Sequence, residues 1–470
     1  MEIIRLRELE PYSFNKLVEL FNLKDDNQDQ KLKEIIKKLL LLKILKTTNN
    51  NSNFDQPDID ALSNTQVYKF DYVGIFIIEK CCLFIYPKYM SEESIEKDAA
   101  NGYLKFKQII KVILKYQKQV LNYQLNGNEI NDNFNLLKFT IDLFENCHQH
   151  GLYHSDQQII ELNGSGEILW DQTINFQQAY WSNKRPIYLD LITSQQVIDN
   201  ENLFTQLHQV ILTQCSLELK PILEALNIET IILSSDRIDE YGSTDYLTHQ
   251  IINEQRNQFI NWKQSILEQM LNYLKNTHGQ ENQNNFAFLG SCKFNLIWEA
   301  ACASVYQSDL KKTVKDLNLK PVNNQDLNKL LIHLIPKPIW IKHQVPDTLI
   351  PDLIRIKDNT FEIYDAKYYS LFKKNKYRKN ELSPPGVNDL IKQYLYEQAY
   401  QELIEQNNLK VTNTFLFPSE INEEQKMIGK AKIDLFPEFY SQLGNQRYKL
   451  QNINICLVSP YKLFKKYLET

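Results

Sequence analysis

No G-x-x-x-x-G-K-[ST] occurs in the 470 residues, so the chain does not itself hydrolyse nucleotide through a P-loop. No apolar run reaches the roughly 18 residues that nominate a membrane span. The greasiest stretch, Tyr72 to Pro87, is broken by Glu79 and Lys80. Met1 to Glu8 lacks the uninterrupted apolar core of a secretory leader, and export is not expected. The seven cysteines (Cys81, Cys82, Cys147, Cys215, Cys292, Cys302, Cys456) are scattered, odd in number and without C-x-x-C. That fits thiols in a reducing cytoplasm better than a disulfide framework or a zinc ribbon. Glycine is scarce, 12 residues in all, against an average of about 7%; no function follows from that. No period of about 20 to 50 residues repeats, which removes solenoids and propellers. An excess of one charge is also missing, with 53 Lys plus Arg against 58 Asp plus Glu. The chain is no polycation, and any contact with DNA must use local basic patches.

The apolar share of 43% and the charged share of 24% are those of a chain that folds. Its length suggests two to four domains of roughly 100 to 200 residues, in an α+β multi-domain fold. Residues 1–95 read as a winged-helix-like module that binds DNA or a partner. Helices are expected over Tyr12 to Phe21 and Lys31 to Leu45, then a ribbon of Tyr68 to Ile78 and Cys82 to Pro87 turning at Glu79-Lys80. Residues 96–285 read as a mixed, mostly helical middle domain. Short strands are expected at Gln158 to Leu162, Gly166 to Trp170 and Pro186 to Asp190, and helices over Asn202 to Leu226 and Asp245 to Lys275. The polar run His278 to Asn285 is the best linker, and residues 286–470 form the third domain.

The chemistry concentrates in Pro351 to Tyr369. Two apolar-alternating runs flank Asp358-Asn359, residue types suited to a tight hairpin turn. With those two as the loop, Asp352 lies opposite Asp365, roughly 5 Å apart at Cβ. Because strand side chains alternate, Lys367 shares their face. Sliding the turn by one residue pairs Asp352 with Lys367 instead, and the three still share a face. Two opposed carboxylates conflict unless one takes a proton or a cation lies between them. Mg²⁺ suits such a site, since it binds through one or two carboxylates plus substrate phosphate, and Mn²⁺ may substitute. Lys367 then stands where it could orient or deprotonate a water, or offset charge on a pentavalent phosphate. An arbitrary Asp opposite a Lys is more often a surface salt bridge. Here apolar strands, a Pro-Asp opening and flanking helices argue for a site.

Pro351-Asp352, twelve intervening residues and then Asp365-Ala366-Lys367 resembles the PD-(D/E)XK nuclease motif. With Tyr368-Tyr369 and Phe294 to Glu299, it resembles the LlaJI-type restriction endonucleases, relatives of the McrC nuclease subunit. Tyr72-Val73-Gly74, Pro87-Lys88-Tyr89, Gly166 to Trp170 and Pro186 to Tyr188 look like further features of that family. The resemblance implies a C-terminal PD-(D/E)XK α/β nuclease domain, in which a helix precedes three strands, a second helix and a further strand. The preceding helix would be Lys293 to Tyr306, with Glu299 completing the metal site beside Asp352 and Asp365. The first strand would be Pro338 to Lys342 and the following helix Asn388 to Gln406. Later strands would be Thr412 to Phe417 and Ile453 to Ser459. Gln393 resembles a glutamine that related nucleases carry beside the active site, a phosphate- or water-positioning candidate. Glu397 stands where the usual tyrosine would.

Lys373, Lys374, Lys376, Arg378 and Lys379 make a basic run between hairpin and helix that could hold DNA phosphates; a solvated loop is the plain alternative. Cys147, His148, His150 and His154 match no closed zinc pattern, and His208 reads as an ordinary helix residue. Serine or cysteine nucleophilic catalysis finds no support. The resemblance therefore implies a magnesium-dependent endonuclease of a restriction, phage-defence system acting on double-stranded DNA. It also implies a McrB-like AAA+ GTPase partner, a cognate DNA methyltransferase in the same system and no membrane. The alternatives are a self-sufficient restriction enzyme and a catalytically idle subunit that clamps DNA or regulates the GTPase.

Overall fold

The computed structural model describes residues 2–21, 28–47, 67–78, 81–124, 136–199, 201–225, 228–277, 286–322, 327–335, 339–340, 343–344, 349–373, 381–382, 384–433, 440–443, 446–449 and 451–470. It is a mixed α+β structure whose contacts gather into two compact units, Met1–Ile130 with Leu289–Thr470, and Asn131–Phe288. The linker read at 278–285 lies outside the described residues.

Strands β1 (Glu2–Arg7), β2 (Val73–Ile78), β3 (Cys81–Tyr86) and β4 (Phe286–Ser291), the last of which belongs to the first unit from Leu289 on, form one sheet in the order β1-β3-β2-β4. β2 and β3 are the expected ribbon, with Ile78 opposite Cys81. β3 also pairs parallel to β1, and all six of its residues are buried. Gly74, at φ +140°, has no room for a side chain: a Cβ there would come within 2.2 Å of Leu289 O.

The first ribbon strand is shorter than expected. Val67–Phe70 instead joins Pro11–Ser13 and Leu45–Thr47 in a separate three-stranded sheet. The chain switches sheets at Asp71, whose N–H donates to Ile44 O at 2.8 Å and whose carboxylate pairs with Lys46. The second helix runs Gln28–Leu41 rather than to Leu45, because Lys43 adopts a left-handed φ of 57° and turns the chain into a strand.

The C-terminal half carries α1 (Phe294–Val305), β5 (Leu353–Lys357), β6 (Thr360–Ala366), α2 (Val387–Ala399), β7 (Lys410–Pro418), β8 (Gln425–Ala431), β9 (Ile453–Val458) and α3 (Pro460–Glu469). The sheet order is β5-β6-β7-β9-β8. β6, β7 and β9 run parallel, while β5 and β8 are antiparallel edges. Parallel neighbours need a crossover, and α2 with the short helix Gln401–Gln406 supplies the one from β6 to β7. The single helix expected over 388–406 breaks at Tyr400, held by its hydroxyl's bond to Leu331 O at 3.0 Å and its ring against Phe361. Segment 338–342 does not supply the first strand among the described residues. Pro338, Ile341 and Lys342 lie outside the described residues, and among the described ones Ile339–Trp340 pairs with His343–Gln344. Ile354, Phe361, Ile363, Tyr396, Tyr400, Leu403 and Ile404 form a buried cluster of the sheet and crossover, while the α1 residues Phe294 and Trp298 pack against Phe464 of α3.

The β5–β6 hairpin turns on two residues, Asp358 at φ 48° and Asn359 at φ 59°. Positive φ at both central positions is the type I′ geometry whose twist matches a hairpin. A β-branched residue is strained there. We expect Asn359→Val to cost about 1 to 2 kcal/mol in denaturant unfolding and Asn359→Gly to be close to neutral.

The second unit holds helices Leu136–His150, Leu203–Glu218, Thr244–Asn257 and Asn261–Thr277, with Leu207, Ile211, Ile266 and Met270 fully buried. Its three-stranded sheet places Ile192–Asp199 between Ser155–Leu162 and Glu167–Ile168. Trp170 opens the helix Trp170–Phe176 instead of ending a strand. Among the described residues no helix is long and apolar enough to cross a membrane.

Candidate active site

The hairpin register is Leu353 opposite Tyr364 through Lys357 opposite Thr360. Continuing it by one residue sets Asp352 against Asp365. The Asp352 Oδ2 accepts a bond from the Ala366 N–H at 2.7 Å, and its carboxyl also hydrogen-bonds the Asp365 side chain. Asp365 is only 6% exposed. Burial, then the hydrogen bond and charge of Asp365, then the charge of Glu299 push the Asp352 carboxyl up to about 8, while the Ala366 N–H pulls it back. Burial and the facing carboxylate thus favour the protonated form of Asp352 in the absence of a cation.

Lys367 follows the end of β6, and its N–H donates to Leu416 O at 2.9 Å. Its Nζ bridges two carboxylates, Asp365 Oδ2 at 2.9 Å and Asp389 Oδ1 at 2.7 Å. Burial alone would depress the ammonium's pKa, but the charge of Asp365 and the bond to Asp389 outweigh it and raise it. Sequence reasoning missed Asp389. It sits at the third position of α2, where its Oδ2 accepts the N–H of the N-cap residue Gly386 at 3.2 Å. An acid three residues after the start signal of the helix following the motif was the available cue.

Glu299 lies on α1 just off the buried stripe of Phe294, Ile297, Trp298 and Ala301. Burial raises its carboxyl, a bond from Asn295 lowers it, and the charges of Asp365 and Lys367 act on it with opposite signs. Asp352, Asp365, Lys367 and Glu299 thus share one electrostatic neighbourhood. Gln393 lies against β6 and β7. Fully buried on α2, its Nε2 donates to Ile363 O at 3.3 Å and to Asn413 Oδ1 at 3.2 Å, and its Oε1 has no partner among the described residues. Asn413 also bonds the buried Glu397, whose Oε1 accepts the Gln451 N–H at 3.1 Å. Lys374, Lys376, Arg378 and Lys379 lie outside the described residues, and Lys373 ends the short strand Phe372–Lys373.

Cys147 and His148 end the helix Leu136–His150, where His148 Nδ1 lies 3.1 Å from Phe144 O. The His150 and His154 rings pack on Trp262. Among the described residues no three His, Cys, Asp or Glu side chains already form a metal cage. Magnesium asks for less. It keeps several waters and takes one or two carboxylates. The all-oxygen donors and the like-charge conflict of Asp352 with Asp365 fit such an ion, which would relieve the conflict.

A family model described as LlaJI restriction endonuclease matches residues 72–459. A Bacillus subtilis (strain 168) protein described as "Type II restriction enzyme BsuMI component YdjA" is 23% identical over 420 residues, which span 85% of this chain and 81% of that protein. Two solved structures from Thermococcus gammatolerans are similar at lower levels. One is a half-complex from the tetradecameric assembly of McrB AAA+ hexamers with bound McrC, at 13% identity, TM-score 0.38, covering 100% of this chain and 99% of that one. The other is a cryo-EM structure of the McrBC complex, at 14% identity, TM-score 0.24, covering 58% and 80%.

Proposed function

We propose that this chain, which belongs to the LlaJI restriction endonuclease family, is the magnesium-dependent DNA-cleaving subunit of a restriction system, built on a PD-(D/E)XK nuclease domain. The observation that carries this reading is the meeting of Asp352, Asp365 and Lys367 at the mouth of one hairpin. Asp352 and Asp365 would hold the ion, with Glu299 assisting from α1. The ion would supply Lewis-acid polarisation of the phosphate and a lowered pKa for an attacking water.

The chain's own groups account for the rest. Lys367, held as an ammonium by Asp365 and Asp389, is a donor and a positive charge for the crowded phosphate rather than a base. Gln393 braces β6 through Ile363 O, two residues before Asp365, and acts on the phosphate or its water only by holding that strand. The basic residues 373–379 are proposed to grip DNA phosphates, which predicts a salt-dependent affinity.

We further propose that a McrB-like AAA+ GTPase works with this chain. The lack of a P-loop supports this, as does the description of the Bacillus relative as one component of an enzyme. The N-terminal module, read as winged-helix-like, would dock that partner or DNA, and a cognate methyltransferase would protect the host's own sites.

The test is cleavage of unmodified and methylated plasmid in Mg²⁺, by the purified chain alone and with the neighbouring GTPase and GTP. A chelator is expected to abolish cutting and Mn²⁺ to restore it. Cutting by the chain alone would favour the self-sufficient enzyme. A folded chain that never cuts, yet binds DNA and stimulates the GTPase, would leave the idle clamp.

A further inference from the structure

Tyr368 directly follows Lys367, and its side chain meets Glu8, Lys88 and Tyr89 in the N-terminal half of the same unit. It is 7% exposed, and its hydroxyl donates to Glu8 Oε2. Glu8 follows β1, is 6% exposed, and also accepts the Lys88 N–H at 3.1 Å. Its position is set by the backbone, since the Glu8 N–H donates to Tyr86 O at 2.8 Å at the end of β3. The Lys88 ammonium lies 4.4 Å from the centre of the Tyr368 ring, and Tyr89 meets that ring edge-on. On another side the ring packs at 5.3 Å against Phe294, the first residue of the helix that carries Glu299. Burying a carboxylate is costly, and plain packing would be better served by an apolar pair. A directional bond to the residue beside Lys367 calls for a different explanation.

We propose that Glu8 is a positioning residue of the nuclease centre: acting through Tyr368, it fixes where Lys367 stands relative to Asp365 and Asp389. The inference rests on the nuclease reading for its consequence in catalysis. Lys367 lies just beyond β6, where its N–H bond to Leu416 O is followed at once by a turn in which the Tyr369 N–H donates to Lys367 O at 3.1 Å. Past that ladder bond, the anchored Tyr368 is what sets the direction in which the lysine leaves the strand. The Lys88 charge and the Tyr368 hydroxyl partly offset the burial of the Glu8 carboxyl, and Lys88 caps the ring, so Glu8, Lys88 and Tyr368 form one clamp. The sheet that begins the chain is by this account a working part of the site formed by its distant C-terminal half.

The experiment compares Glu8→Ala, Glu8→Gln, Tyr368→Phe and the double variant in the full chain, with Asp365→Asn as the dead control. Two readouts are taken. In cleavage, Glu8→Ala and Tyr368→Phe are expected to lose about 10- to 100-fold in kcat with KM for DNA unchanged, the cost of a misplaced group. Glu8→Gln, which keeps an acceptor oxygen, recovers most of the rate. The double variant is no worse than either single one, because the two act as a unit. In the second readout, an amine-reactive reagent labels Lys367, followed by peptide mass spectrometry. Labelling accelerates several-fold in Glu8→Ala and Tyr368→Phe as the ammonium leaves its two carboxylates. Wild-type kcat per folded molecule, multiplying losses or unchanged labelling overturns the proposal. Should Glu8→Ala not fold, Tyr368→Phe removes only a hydroxyl and carries both readouts. Should the wild type not cut under any condition, the nuclease reading fails, and labelling still decides whether the clamp positions Lys367.

Discussion

Asp365→Asn is expected to reduce DNA cleavage by on the order of 10³-fold or more while leaving the protein folded. Charge stabilisation by a bound cation contributes several kcal/mol to such a reaction, and each 1.36 kcal/mol is tenfold in rate. Asparagine fills the same space but removes the charge that faces Asp352, Glu299 and Lys367. The metal-free wild type carries a conflict at this point, since after burial Asp365 is the largest cause of the raised Asp352 carboxyl, ahead of Glu299. Relieving it should hold the melting temperature of the metal-free variant at or above that of the wild type, even as Mg²⁺ ceases to stabilise it. Loss of activity with gain or parity of stability is the pattern of a functional group held in strain. A variant that loses activity by unfolding would show the reverse, and one that cuts at the wild-type rate would remove Asp365 from the site.

The hairpin was legible because its information is local. Alternating apolar residues fix which side chains share a face, and Asp358-Asn359 tolerate the positive φ that the turn requires. The apolar stripe of α1 was legible for the same reason, and it locates Glu299 to one side of the buried face. Asp389 was not. Its approach to Lys367 depends on where α2 docks after 20 intervening residues, and no periodicity encodes that. Glu8 and Tyr368 meet across some 360 positions, through a parallel pairing of β1 with β3 that depends on tertiary context alone. The strand Ile192–Asp199 escaped because its middle, Thr193-Ser194-Gln195-Gln196, is polar and lacks the alternation that marks a half-buried strand. Local rules located the candidate site groups, and non-local packing supplied the groups that hold them.

Acid should weaken the second unit through one histidine. His208 lies on the helix Leu203–Glu218, fully buried, and its Nδ1 accepts the Tyr153 N–H at 3.1 Å. A ring nitrogen that accepts carries no proton, so the neutral tautomer places its hydrogen on Nε2, which has no partner among the described residues. Protonating the ring would bury a charge and turn the acceptor into a second donor facing Tyr153. Burial accordingly pushes the His208 pKa down from 6.5 to about 4. The unfolded chain binds the proton more readily, so stability is complete above about pH 6.5 and is lost as pH falls through the window down to about 4. At roughly 1.4 kcal/mol for each pH unit between the two values, the loss reaches about 3 kcal/mol. Denaturant unfolding from pH 7 to 4, comparing wild type with His208→Asn, isolates this contribution, because carboxylate titrations common to both cancel in the difference. Asparagine offers an oxygen near the Nδ1 position for the Tyr153 N–H. The variant should start less stable at pH 7, through lost packing, and close the gap as pH falls. Parallel curves across the window would assign the acid sensitivity to other groups.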